Sequence, residues 1–170
     1  MKRRCFFRKS LFVLGSLGVL GGGSAAFAAG WKVDEKLPNL ATFGLEGSLP
    51  ELKGKVVYLD FWASWCAPCK ASFPVLSKWQ QEFSAKGFTV LAVSVDATSS
   101  EMSAFLKKYG GGLPAVRDVG QQLVAAADVR SMPTAFLIDR KGQIRVVHNG
   151  FREKDEELLA GQIRALLAER

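Results

Sequence analysis

The 170-residue chain carries 23 Lys and Arg residues against 16 Asp and Glu residues, for a formal net charge of +7. The first 28 residues hold five of these bases and no acid, so the remaining 142 residues have a net charge of only +2. This remainder has no basic stripe with interleaved aromatic residues, which argues against a nucleic-acid-binding protein. Its length suits one domain with a hydrophobic core of its own.

Residues 1 to 28 have the pattern of a signal peptide. Basic residues precede a mildly apolar stretch, and the motif Ala26-Phe27-Ala28 predicts cleavage after Ala28. The adjacent Arg3 and Arg4 resemble a twin-arginine export signal, with an ordinary Sec signal as the alternative. A third possibility is an uncleaved membrane anchor, although the glycines in the apolar stretch disfavour it. Each route places residues 29 to 170 outside the cytoplasm, in the periplasm or facing it.

The remainder of the chain alternates between strand and helix patterns. Residues 30 to 50 are irregular and predict an N-terminal extension or hairpin, whereas the apolar runs 56 to 62 and 88 to 95 predict buried strands. The other predicted elements are a helix from Pro68 to about Lys86, a helix from a Thr98–Glu101 capping box to Tyr109, a short strand at Ala115 and Val116, a helix near Gln121 to Ala127, a hairpin of Thr134 to Asp139 with Gln143 to His148, and a helix from Glu153 to Glu169. This order predicts an α/β fold with a central mixed β-sheet and helices on both faces.

The motif Trp65-Cys66-Ala67-Pro68-Cys69 lies between the first predicted strand and the following helix. A cysteine in the first turn of a helix faces unpaired backbone N–H groups and the positive end of the helix dipole, which favour the thiolate. Cys66 is therefore the predicted nucleophile. Cys69, one helical turn further on, can attack a mixed disulfide formed by Cys66, so that the pair cycles between dithiol and disulfide.

Two other uses of the cysteine pair fit the sequence less well. A structural zinc site is disfavoured because the chain has three cysteines, one of them in the leader, and one histidine. A purely stabilising disulfide is also disfavoured, since the closed loop would be very short and would constrain the unfolded chain little. We therefore predict no metal site and no separate cofactor.

A polar residue interrupts the first apolar run at Asp60. Burial of an unpaired carboxylate costs several kcal/mol, so a buried Asp60 should have a raised pKa and could exchange a proton with Cys69. The alternative is that Asp60 points to a solvated outer face.

Two separate segments give the chain a family resemblance. The segment Asp60 to Lys70, with Pro74 beyond it, resembles the active-site segment of thioredoxins, and Val129 to Thr134 resembles the family's second active-site loop. The extra strand and helix between Val95 and Val129, together with the leader, resemble the extracytoplasmic TlpA-like and ResA-like branch. The resemblance covers about residues 37 to 168 and implies a thioredoxin-like domain over residues 29 to 170.

The resemblance also implies roles for the second loop. It implies a cis peptide bond at Pro133, which would turn the backbone of Met132 toward the thiols, where it can pair with an extended substrate. Trp65, Ala67 and Pro68 are expected to contact the substrate as well. Several relatives of this branch have an acidic residue or a second proline at the position of Ala67, so the redox potential is left open.

The function implied is an exported thiol-disulfide oxidoreductase. It would reduce disulfides or cysteine pairs in client proteins, for example apocytochrome c, and a membrane-bound dithiol donor would restore it. We expect a monomer. The alternative is a Cu(I)-binding module that uses the same two thiolates, for which Met132 and His148 are the candidate additional ligands.

Overall fold

The structure is a computed structural model that describes residues 30 to 169. The predicted leader, residues 1 to 28, lies outside the described residues. Within the described range, no helix is both long and apolar enough to cross a membrane.

Five strands form a single mixed sheet: β1 (Val56–Trp62), β2 (Phe88–Ser94), β3 (Ala115–Arg117), β4 (Thr134–Ile138) and β5 (Ile144–Asn149). Their order across the sheet is β3-β2-β1-β4-β5. β1 pairs in parallel with β2 and antiparallel with β4, and β4 and β5 form the predicted hairpin. The mixed central sheet predicted from the sequence is therefore confirmed.

Among residues 30 to 169, four α-helices connect or follow the strands: α1 (Ala67–Phe83), α2 (Ser99–Tyr109), α3 (Gln122–Ala126) and α4 (Asp155–Ala168). Two short 3-10 turns add Leu40–Phe43 and Ser84–Lys86. The predicted capping box is present at the start of α2, where Thr98 and Glu101 bond to each other's backbone N–H groups. The segment between Val95 and Val129, where the resemblance implies an extra strand and helix, contains α2, β3 and α3.

Alternate residues of β1 face two separate cores, as expected for a strand buried on both faces. Val56, Tyr58 and Trp62 pack in a core with α1, α2 and α4. Odd-numbered residues of the strand, such as Leu59 and Phe61, pack in a second core that includes α3. Helices thus cover both faces of the sheet, as predicted.

The irregular N-terminal segment is an extension that covers the second core. Single β-bridges attach Lys36 to Gln143 at one edge of the sheet and Glu46 to Arg117 at the other. Between these bridges Leu40 is buried in the second core. The segment therefore crosses one face of the sheet from β5 to β3, and the hairpin alternative is wrong.

Candidate active site

Cys66 and Cys69 form a disulfide at the N-terminus of α1, with 2.06 Å between the two sulfurs. Cys66 is the N-cap residue, in an extended conformation, and its Sγ accepts a hydrogen bond from the Cys69 N–H at 3.2 Å. Cys66 retains 4% exposure whereas Cys69 has none. The predicted placement of Cys66 at the start of a helix is confirmed, and it is the more accessible of the two sulfur-bearing residues.

The residues around the cysteines divide into an exposed and a buried group. Trp65 is 68% exposed, and Ala67 and Pro68 are also exposed. Trp62 is instead fully buried, with its ring 4.8 Å from that of Phe73. Trp65 thus provides an apolar surface beside Cys66, while Trp62 belongs to the core.

The second predicted loop lies directly before β4, and its Met132–Pro133 peptide bond is cis, as expected. Met132 is half-buried and packs against the same core cluster that contains both cysteines. The carbonyl oxygen of Pro133 accepts a hydrogen bond from Gly150 N–H at 2.7 Å, which ties this loop to the end of β5. The structure therefore brings together the two segments that are more than 60 residues apart in the sequence.

Asp60 lies in the middle of β1, on the face that packs against α1, and is only 1% exposed. Its direct neighbours across the sheet are Ala92 and Ala135, which have no polar side chain to offer. Within residues 30 to 169, its Oδ2 has no hydrogen-bond partner. Burial raises the pKa of Asp60 well above its ordinary value. The predicted burial is confirmed, the direction of the pKa shift agrees with it, and the solvated outer-face alternative is wrong.

The same carboxylate affects a neighbouring phenol. Burial raises the pKa of Tyr58 well above its ordinary value, and the negative charges of Asp60 and Asp155 raise it further. Asp60 therefore lies in an environment that disfavours negative charge, which supports its being protonated more readily than an exposed aspartate.

Sequence reasoning missed a polar contact beside the cysteine turn. Asp96 is 2% exposed and follows β2, and its Oδ1 accepts hydrogen bonds from the N–H of Ser64 at 2.9 Å and from its hydroxyl at 2.8 Å. No local pattern in the sequence pairs these two residues, because their contact depends on how the two strands align. Ser64 and Asp96 each lie two residues beyond the end of adjacent parallel strands, and such strand ends meet at one edge of a sheet.

The side chains considered for copper lie in different surroundings. Nε2 of His148 is 3.5 Å from Oδ2 of Asp155, whereas Met132 packs against the core that contains the cysteines. Among residues 30 to 169, no group of three or more His, Cys, Asp and Glu side chains is placed to hold a metal ion.

The site and fold agree with a family match. The model of the family described as Redoxin matches residues 28 to 163. The chain belongs to the Redoxin family. Among related sequences, the thiol-disulfide oxidoreductase ResA of Bacillus subtilis is 35% identical over 156 residues, covering 88% of this chain and 87% of ResA. ResA of Bacillus thuringiensis is 32% identical over 171 residues, and the match covers 97% of this Redoxin-family chain and 98% of that ResA.

A solved structure of a related protein has a similar fold. A crystal structure assigned to a thiol:disulfide interchange protein DsbE from Chlorobium tepidum is 41% identical, with a TM-score of 0.75, and the match covers 81% of this chain and 99% of that one. The Redoxin-family chain therefore has the thioredoxin-like fold that was predicted. It is a ResA-like thiol-disulfide oxidoreductase.

Proposed function

We propose that this Redoxin-family protein is an exported protein-disulfide reductase that works through Cys66 and Cys69. The observation that carries the proposal is the position of Cys66, which caps α1 beside the exposed ring of Trp65 while Cys69 is fully buried. A client disulfide can reach the first cysteine, whereas the second is accessible only from within the protein. This asymmetry supports Cys66 as the nucleophile and Cys69 as the resolving thiol.

The proposed cycle begins with the reduced pair. The Cys66 thiolate attacks one sulfur of a client disulfide, forms a mixed disulfide and releases the other client sulfur as a thiolate, which takes up a proton. Cys69 then loses its proton and attacks Sγ of Cys66, which restores the Cys66–Cys69 disulfide and releases the second client thiol. The client gains two electrons and two protons, and the cysteine pair is oxidised.

Asp60 is proposed to accept the proton of Cys69 in the second step. The carboxyl group is buried on the face of β1 that packs against α1, the helix containing Cys69, and both residues belong to the side of the sheet with the first core. A carboxyl group with a raised pKa can take and return a proton near neutral pH more easily than an ordinary aspartate.

Client binding is proposed for the exposed surface around the cysteine turn. Trp65, Ala67 and Pro68 offer an apolar surface next to Cys66, and Met132 offers its backbone at the second loop. An extended client segment could pair with the backbone of Met132, as a strand pairs with a sheet edge. Pro133 would set the direction of that backbone.

The direction of electron flow is proposed to be reduction of the client. Ala67 and Pro68 place no charged or hydrogen-bonding side chain next to Cys66, and Pro68 has no N–H. Strong oxidants of this chemistry owe their potential to a highly stabilised thiolate. A less stabilised Cys66 thiolate therefore favours a reducing pair.

The proposed setting follows from the sequence of residues 1 to 28. Its signal-peptide pattern supports export to the periplasm, where disulfide exchange has clients. The proposed clients are proteins with disulfides or cofactor-site cysteine pairs, including apocytochrome c. A membrane-bound dithiol donor would re-reduce the pair, and the protein would act as a monomer.

The test combines trapping with a redox titration. Cys69→Ser should accumulate mixed disulfides at Cys66 that mass spectrometry can identify, whereas the control Cys66→Ser, whose remaining Cys69 is buried, should trap none. Equilibration with a dithiol buffer should give a reduction potential below about −200 mV, closer to thioredoxin than to DsbA. Full reductase activity of Cys66→Ser would refute the cycle, and a potential near that of DsbA would refute the direction.

A further inference from the structure

A buried polar link joins the end of β2 to the turn that carries Cys66. Oδ1 of Asp96 accepts two hydrogen bonds from Ser64, from its N–H at 2.9 Å and from its hydroxyl at 2.8 Å. Oδ2 of Asp96 accepts a third from the Ser94 hydroxyl at 2.8 Å. Hydrogen bonds to a buried charged acceptor are among the stronger ones, so this carboxylate restrains Ser64 firmly.

The restrained residue lies two positions before the cysteine. The N–H of Cys66 donates to the carbonyl oxygen of Ala63 at 3.1 Å, so Ser64 is inside the turn that this bond closes. On its other side, Cys66 is held by α1, since its Sγ accepts from the N–H of Cys69. The N-cap conformation of Cys66 therefore depends on two anchors, the helix and Asp96.

The backbone of Asp96 is in turn held by Arg117. The guanidinium of Arg117 is buried and donates to the carbonyl oxygen of Ala97 at 2.9 Å and to that of Asp96 at 3.4 Å. Glu46 forms an ion pair with Arg117, and the two residues also exchange backbone hydrogen bonds of 2.8 and 2.9 Å. The loop after β2 is thus fixed between the sheet and the N-terminal extension.

We propose that Asp96 is a positioning residue that holds the turn of Cys66 so that its thiolate faces the N–H groups of α1. A thiolate at a helix N-terminus is stabilised only when it lies close to those groups, because the effect is confined to the first turn. The inference rests on the proposed role of Cys66 as the nucleophile.

Asp96 could act on Cys66 through its negative charge or by holding the turn in position, and the two possibilities predict opposite changes in the stability of the Cys66 thiolate. If Asp96 acted through its negative charge, removing that charge would stabilise the Cys66 thiolate and make it more reactive. If Asp96 acts by holding Ser64, removing the side chain would loosen the turn and make the thiolate less stable. Asp96→Asn removes the charge and the acceptor of the Ser94 hydroxyl, but its amide oxygen can still accept both hydrogen bonds from Ser64. Asp96→Ala removes the charge and every side-chain acceptor.

The experiment measures the alkylation rate of reduced Cys66 by iodoacetamide across pH, read at this residue by mass spectrometry, together with kcat and KM for disulfide reduction. At pH 7 Asp96→Ala should react about threefold to fivefold more slowly, because the thiol pKa rises toward its ordinary value. Asp96→Asn should stay within about twofold of the unmodified protein. In Asp96→Ala, kcat should fall more than KM rises.

Asp139→Ala is the matched control. Asp139 is also a buried carboxylate that accepts backbone hydrogen bonds, from Lys141 and Gln143 at 2.9 Å each, but it lies in the β4–β5 turn. That turn is at the opposite end of the sheet from Cys66, since β4 is antiparallel to β1. Asp139→Ala should lower stability without changing the reactivity of Cys66.

Three outcomes would overturn the inference: unchanged Cys66 reactivity in Asp96→Ala, faster reaction in Asp96→Asn, or an equal loss in Asp139→Ala. Should Asp96→Ala not fold, Ser64→Ala supplies the same test, with about a twofold loss expected and rescue by Ser64→Thr. Failure of the proposed function is distinguishable, because Cys66 of the unmodified protein would then show an ordinary thiol pKa and no catalysed reduction.

Discussion

Two buried aspartates have opposite surroundings: Asp60 lies in β1, and Asp96 lies two residues beyond the end of the adjacent strand β2. Asp96 accepts three hydrogen bonds and is held in place by them. Asp60 is buried as deeply, but its neighbours across the sheet are two alanines and its Oδ2 has no partner within residues 30 to 169. A satisfied buried carboxylate stabilises a fold, whereas an unsatisfied one destabilises it. The difference separates a residue that builds the site from one that the proposed chemistry requires.

The largest expected effect is the loss of stability on replacing Asp96. Asp96→Ala should lower the free energy of unfolding by about 3 kcal/mol, because three hydrogen bonds to a charged acceptor are lost and their donors stay buried. Urea denaturation of the oxidised protein at pH 7 measures this. Asp60→Ala, measured in parallel, should not destabilise through lost hydrogen bonds. Equal losses in both variants would remove the distinction between the two aspartates.

The second largest expected effect is a gain of stability on replacing Asp60. Asp60→Asn should raise the free energy of unfolding at pH 7 by about 1 to 3 kcal/mol, since an amide does not have to be buried as a charge. The same variant should slow the resolution of mixed disulfides by about 100-fold, because Cys69 loses its proton acceptor. Stopped-flow measurement of client release, with urea denaturation of the same preparation, checks both results.

The pH dependence of the free energy of unfolding is an independent test of whether ionised Asp60 destabilises the fold. The folded pKa of Asp60 is raised above the ordinary value of 3.8, so above pH 3.8 the folded protein retains a proton that the unfolded chain has released. Stability therefore falls as the pH rises from 3.8 toward the folded pKa. The advantage of Asp60→Asn should be small at pH 3.8 and should grow with pH. An advantage that is constant across pH would show that Asp60 does not titrate.

Features that depend on neighbouring residues could be predicted from the sequence. The cysteine turn is one of them, because an apolar strand, two cysteines and a helix follow one another directly. Asp60 is another, since a carboxylate inside an apolar run is exceptional in any strand and points to a shifted pKa. For the same reason the order of strands and helices, and with it the mixed sheet, followed from local patterns.

Features that depend on the long-range register of strands could not be predicted from the sequence. Ser64 and Asp96 are 32 residues apart, and their contact exists only because β1 and β2 pair in parallel with their ends aligned. The path of the N-terminal extension over the sheet could not be predicted either, since its apolar residues follow neither a helical nor a strand period. Its path is fixed by two β-bridges at opposite edges of the sheet, and no local sequence pattern predicts these bridges.

A third buried aspartate gives the smallest expected effect and shows what a cationic partner changes. Desolvation alone would raise the pKa of Asp155, but hydrogen bonds from Arg152 and the positive charges of Arg152 and His148 lower it below its ordinary value. A lowered folded pKa adds stability that is complete above pH 3.8 and is lost as the pH falls through the folded pKa. Arg152→Ala should therefore reduce stability slightly at pH 7 and less at pH 3, where the unfolded chain is largely protonated and part of this stabilisation is already lost.

Urea denaturation at the two pH values measures that difference, with the exposed neighbour Lys154→Ala as the control. The effect should be small because the Arg152 side chain is 68% exposed and its charge is screened by water and salt. A loss at pH 3 equal to that at pH 7 would mean that Arg152 acts on Asp155 through packing. The three aspartates would then differ only in whether they are hydrogen-bonded, and the sign of the local charge would have no measurable part in their stability.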